Sequence, residues 1–115
     1  KARLESVKEE RAAQVEHKKK EQIRAFDEAG RQLSAICAAP TVLSYAGILN
    51  GKKAICYPGM EDMLTGAIVT TEEVVCDENV ITSRGMGTAI PFALEIVKYL
   101  GEAAKADEIR EAIVF

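Results

Sequence analysis

Residues 33–44 read Leu-Ser-Ala-Ile-Cys-Ala-Ala-Pro-Thr-Val-Leu-Ser, an apolar run that passes directly into a helix-forming one. Leu33–Cys37 suits a buried strand, and Pro40 suits a first helical turn, where its missing N–H costs nothing. Cys37 falls at the junction. A tight strand-to-helix turn of this kind is a nucleophile elbow, which holds a reactive side chain above the strand ends. Unpaired N–H groups and the positive end of a helix there favour a thiolate, and the Ala38 N–H is positioned to donate to an oxyanion. The same pattern also reads as an inert cysteine closing a core strand, a common use of that residue.

Outward from this stretch, short apolar runs alternate with helical ones. Ala38–Leu49 reads as a helix closed by Asn50-Gly51, and Lys53–Tyr57 as a strand ended by Pro58-Gly59. Glu61–Leu64 suits one helical turn, and Ala67–Thr71 and Val74–Cys76 suit short strands. Asp77-Glu78-Asn79 turns tightly into the strand Val80–Ser83. Beyond Gly85-Met86-Gly87, Thr88 caps a helix to about Leu100, Gly101 stops it, and a last helix spans Ala103–Ala112. This alternation implies an α/β layered fold with a mostly parallel sheet.

Residues 1–29 are of another kind. They hold 8 of the 15 Lys and Arg and 7 of the 18 Asp and Glu, a local charge of +1 against −4 for the remainder. Good helix formers dominate, with no Gly or Pro before Gly30. Leu4, Val7, Val15, Ile23 and Phe26 make a thin apolar stripe, so a long, mostly solvated helix is expected, docked only by its last turns. The expected organisation is a charged helical segment, 1–29, and an α/β domain, 30–115.

At 115 residues the chain has room for one domain, and its 48% hydrophobic and 29% charged residues are ordinary for a globular protein. A net charge of −3 and only 5% aromatic residues argue against nucleic acid as a partner, and no apolar run reaches membrane-span length. Three widely spaced cysteines fit reduced thiols and a cytoplasmic location better than a disulfide framework. Cys56 and Cys76 read as small core residues. With His17 they offer no short ligand pair, so no metal is expected. Gly85-Met86-Gly87 is too short for a dinucleotide fingerprint and has no phosphate-loop lysine, so no cofactor is expected either. His17 lies in a polar helix, which makes a Ser/His/Asp triad improbable.

Two motifs, Ala35-Ile-Cys-Ala-Ala-Pro40 and Thr82-Ser-Arg-Gly-Met-Gly-Thr88, occur in this order, the second leading into a helix rich in Ala, Phe and Leu. Together they resemble the ThiJ/PfpI family, that of the Parkinsonism-linked protein deglycase, from about Ile23 to Phe115. The resemblance implies a flavodoxin-like sandwich, usually a homodimer, with glyoxalase and deglycase chemistry on small reactive carbonyls, oxidation sensing and chaperone-like activity. Cys37 matches the family's reactive cysteine, and Ala38 supplies the backbone N–H that follows it. The protease-like branch has His where this chain has Ala38, and a His of some members matches Tyr57. The family's N-terminal strand with its Glu, and a later Gly-Gly turn, have no counterpart in residues 1–29. Residues 30–115 therefore read as the C-terminal part of the family fold, an incomplete sandwich open to a homodimeric or complementing partner chain.

Two further readings stand beside this one. A non-catalytic fragment or fusion would associate through Leu4, Val7, Val15 and Phe26. A glutamine amidotransferase-like domain would need a His after Cys37, and none follows it.

Overall fold

The computed structural model describes residues 2–115. Helix α1 spans Ala2–Glu28 without a single buried residue. Its end is set by Gly30, whose φ of +69° lets the chain reverse. The Gly30 N–H then reaches the Asp27 carbonyl (3.0 Å) and the Arg31 N–H reaches that of Phe26 (2.9 Å), which satisfies two of the last helical carbonyls. Only the final turns dock, as the charge pattern implies. Ile23 packs against the core, and Arg24 Nε donates to the Ala46 carbonyl at 2.8 Å. The N-terminal half projects, so the molecule measures 57 × 28 × 24 Å.

The docked end is locked by a polar cluster. Asp27 Oδ1 accepts from Lys52 Nζ and from Asn79 Nδ2, both at 3.0 Å. Asn79 Nδ2 also donates to the Arg31 carbonyl at 2.9 Å, while Asn79 Oδ1 accepts from Lys52 at 3.2 Å. Burial pushes the Asp27 carboxyl up, but the Asn79 amide and the Lys52 ammonium outweigh it and hold the group below its ordinary range.

Strand β1 (Leu33–Ile36) is followed by α2 (Pro40–Tyr45), β2 (Lys53–Ala54), a 3-10 turn at Glu61–Met63, and β3 (Ile68–Val69). Next come β4 (Val74–Asp77), β5 (Val80–Ser83), a 3-10 turn at Met86–Thr88, α3 (Ala89–Tyr99) and α4 (Ala103–Ala112). The main sheet has the order β1-β5-β4. In it β1 and β5 run parallel with Leu33 opposite Val80 and Ile36 opposite Ser83, and β4 and β5 form an antiparallel hairpin. The hairpin turn is Glu78-Asn79, with Glu78 at φ 52° as a two-residue connection between twisted strands requires. Strands β2 and β3 form a small parallel pair. They are shorter than their apolar runs imply, because the residues beyond Ala54 spend N–H groups outside a ladder: Ile55 N–H bonds Thr82 Oγ1 at 3.1 Å.

Strand β5 is buried along its whole length. Ala35 and Val80 share a core with Leu43, Leu49, Ala54, Cys56 and Leu64. Helix α3 packs across β5, β4 and β1, and α2 lies against β1. The α2 helix is shorter than the sequence pattern implies, because Gly47 (φ +82°) ends it before Leu49.

Candidate active site

Strand β1 ends at Ile36, and the chain turns through residues 37–39 before Pro40 opens α2. Cys37 takes the left-handed conformation, φ 66°, which costs a residue with a Cβ about 1–2 kcal/mol. Three hydrogen bonds hold it there. The Cys37 N–H donates to the Ser83 carbonyl (3.0 Å), the Tyr57 N–H donates to the Cys37 carbonyl (2.8 Å), and the Ala39 N–H closes the turn on the Ile36 carbonyl (3.2 Å). Pro40 is fully buried beneath it, while Cys37 itself is partly exposed with a free thiol. A strained residue with a free thiol at the end of a strand has the geometry of an elbow.

Ala38 completes the turn. Its carbonyl accepts from both the N–H and the hydroxyl of Thr41, at 3.1 and 2.6 Å. Its N–H has no hydrogen-bond partner among the described residues. Sequence and structure therefore place Cys37 and Ala38 together, with a thiol and a spare donor at one corner.

Around this corner the structure gathers residues distant in sequence. Tyr57 is joined to Cys37 through the backbone, and Ser83 leads from the other side into Arg84–Thr88. Tyr57, Pro58 and Arg84–Thr88 line an open hollow of ≈ 360 Å³. The loop that forms its far wall is built on buried hydroxyls. Ser83 Oγ donates to the Glu73 carbonyl (2.7 Å) and meets Thr88 Oγ1. Thr88 Oγ1 also accepts from the Gly85 N–H (3.3 Å). Arg84 approaches Glu73 at 3.6 Å, both side chains being well exposed.

The other two cysteines stand in different surroundings. Cys56 is fully buried, and burial, then Glu61, then the neighbouring Cys37 push its thiol up. Cys76 is not the core residue its apolar run implies: it is exposed on β4, on the outward side of the strand from buried Val75. Partial desolvation with the nearby Glu95 and Asp77 raises its thiol against the pull of Lys98. No group of three or more His, Cys, Asp or Glu residues able to hold a metal forms among the described residues. Nor is any described helix long and apolar enough to cross a membrane. Sequence reasoning missed the hollow, because its walls come from two loops remote in the chain and bridged by the Cys37 backbone.

Residues 8–99 match the DJ-1/PfpI family. The chain belongs to that family. Protein dj-1beta of Drosophila melanogaster is 40% identical over 94 residues, covering 80% of this chain and 50% of that protein. The glutathione-independent glyoxalase DJR-1.2 of Caenorhabditis elegans is 39% identical over 82 residues, covering 70% of this chain and 44% of that protein. The crystal structure of Drosophila melanogaster DJ-1beta superposes with a TM-score of 0.75 at 38% identity, over 83% of this chain and 52% of that one. The DJ-1/PfpI chain thus spans about half the length of these relatives, and it shares their flavodoxin-like α/β layering.

Proposed function

We propose that this DJ-1/PfpI protein acts on small reactive carbonyls in a glyoxalase- or deglycase-like manner, with Cys37 as its nucleophile. The observation that carries the reading is the elbow: a partly exposed free thiol at a left-handed position, next to an N–H that nothing else occupies. In the proposed step the Cys37 thiolate attacks an aldehyde carbon and forms the S–C bond. The carbonyl π pair moves onto oxygen, where the Ala38 N–H steadies the negative charge until a proton arrives to complete the hemithioacetal. A likeness to a relative named as a glyoxalase supports this choice of substrate class. The same thiolate would serve oxidation sensing: its attack on a hydroperoxide breaks the O–O bond, leaving a sulfenic acid on Cys37 and releasing water or an alcohol. A second peroxide takes it to a sulfinic acid that the same donor would hold.

Cys37→Ser tests the reading. Methylglyoxal consumption should disappear while circular dichroism stays unchanged. Consumption that survives the substitution would remove Cys37 from the chemistry.

A second reading concerns association. In the main sheet β1 pairs on one side only, with β5, and an open strand edge is a site for a second chain. Leu4 and Val15 are at least half exposed on α1, which favours helix-mediated self-association. A homodimer or a complementing chain fits both features. Leu4→Glu with Val15→Glu should then lower the sedimentation coefficient, and an unchanged profile would remove the helix from the account.

A further inference from the structure

Parallel β1 and β5 end side by side, because Ile36 and Ser83 are register partners. The residues that leave the sheet there are Cys37 and Arg84. In open α/β sheets ligands collect outside the carboxyl ends of the strands, where loops diverge. Here the two loops diverge around the hollow of ≈ 360 Å³, and the Cys37 backbone bridges its walls through its N–H to Ser83 and its carbonyl to Tyr57. Across the hollow the Tyr57 ring and Gly85 are close, since a methyl group built on Gly85 would meet the ring at 3.8 Å. The Cys37 backbone thus sits between the Tyr57 wall of the hollow and the strand end that leads into its Arg84 wall.

Of the residues that line the hollow, only Arg84 carries a charge. Its Glu73 contact is long, 3.6 Å, with 41% and 60% of the two side chains exposed, so a competing anion displaces it at little cost. The guanidinium fork matches a carboxylate with two parallel hydrogen bonds. Its backbone is fixed by the buried Ser83 and Thr88 hydroxyls, so the cation projects from a rigid loop.

We propose that Arg84 is a carboxylate-recognition residue, which selects aldehydes carrying an anionic group and holds that group while the carbonyl faces Cys37. The inference rests on the reading of Cys37 as the nucleophile. In this step the S–C bond forms and the aldehyde oxygen takes a proton, while the carboxylate is neither oxidised nor reduced and stays paired with Arg84.

The test compares alkylation of Cys37 by iodoacetate and by iodoacetamide, which differ in charge and share one chemistry, loss of iodide to the thiolate. Arg84→Gln should lower the iodoacetate-to-iodoacetamide rate ratio roughly threefold, and Glu73→Gln, which frees Arg84, should raise it roughly twofold. Both changes should shrink as salt is added. Glyoxylate should protect Cys37 from iodoacetamide less well in Arg84→Gln, while protection by the neutral glycolaldehyde is unchanged. A ratio unmoved by either substitution overturns the carboxylate subsite without touching the Cys37 reading. That reading fails separately, if methylglyoxal consumption survives Cys37→Ser.

Discussion

The Cys37 N–H reaches the Ser83 carbonyl at 3.0 Å, one residue past the last register pair of β1 and β5. This single bond carries the sheet geometry into the elbow. It fixes the nucleophile candidate against the strand that leads to Arg84, and it leaves Cys37 in a left-handed conformation that β1 alone would not impose.

The strain at Cys37 is measurable. Cys37→Gly should be close to neutral or slightly stabilising in urea unfolding, since Gly accepts φ 66° freely. Cys37→Val should cost about 2 kcal/mol, because a β-branched side chain tolerates that conformation worst. Equal stabilities for the two variants would show that the elbow is unstrained.

The three thiols should separate by reactivity. At neutral pH iodoacetamide should label Cys37 at least about tenfold faster than Cys56, which is buried and has its thiol pushed up. Cys76, raised by partial desolvation and two nearby carboxylates, should also lag and gain rate as the pH rises. Peptide mass spectrometry over a time course reads all three, and equal rates in the folded protein would sink the activated-thiolate account.

The Asp27–Lys52–Asn79 cluster should make stability depend on acid. The folded carboxyl titrates below its ordinary value of 3.8, so its contribution is complete above that pH and is lost as the pH falls through the lower folded value. Asp27→Asn should therefore lower stability at pH 7 by about 1–2 kcal/mol and flatten the loss on acidification. Urea unfolding at pH 7 and pH 3 reads both effects.

Thr88 should govern the order of the Arg84–Gly87 loop. Thr88→Val keeps the shape but removes the hydroxyl that meets Ser83 and accepts from the Gly85 N–H. A cost of about 1–3 kcal/mol is expected, with faster amide exchange at Gly85. Exchange unchanged at Gly85 would show that the loop holds itself.

Much of this architecture was legible in order along the chain. Helix formers without Gly or Pro specify α1, Gly30 ends it, the run at 80–83 is a strand as the pattern implies, and the run at 33–37 is one as far as Ile36, Cys37 having already turned out of it. The tight turn at residues 37–39 was legible because a strand-to-helix turn is a local motif, contained within four or five residues. The lengths of β2 and β3 were not, since Ile55 spends its N–H on a side chain twenty-seven residues away.

By itself the sequence determined the order of the elements, the Gly30 stop of α1 and the chemical type of the candidate nucleophile, which depend on neighbours a few residues apart. The expected Thr88 cap of α3 does not form, because its hydroxyl is spent on Ser83 and Gly85. Only the tertiary structure decided what stands next to the Cys37 backbone. Register pairing of Ile36 with Ser83 brings Arg84 beside Cys37, and the Tyr57 N–H closes the other wall. Those placements follow from hydrogen bonds between strands and loops remote in the chain, a relation that no local pattern of residues encodes.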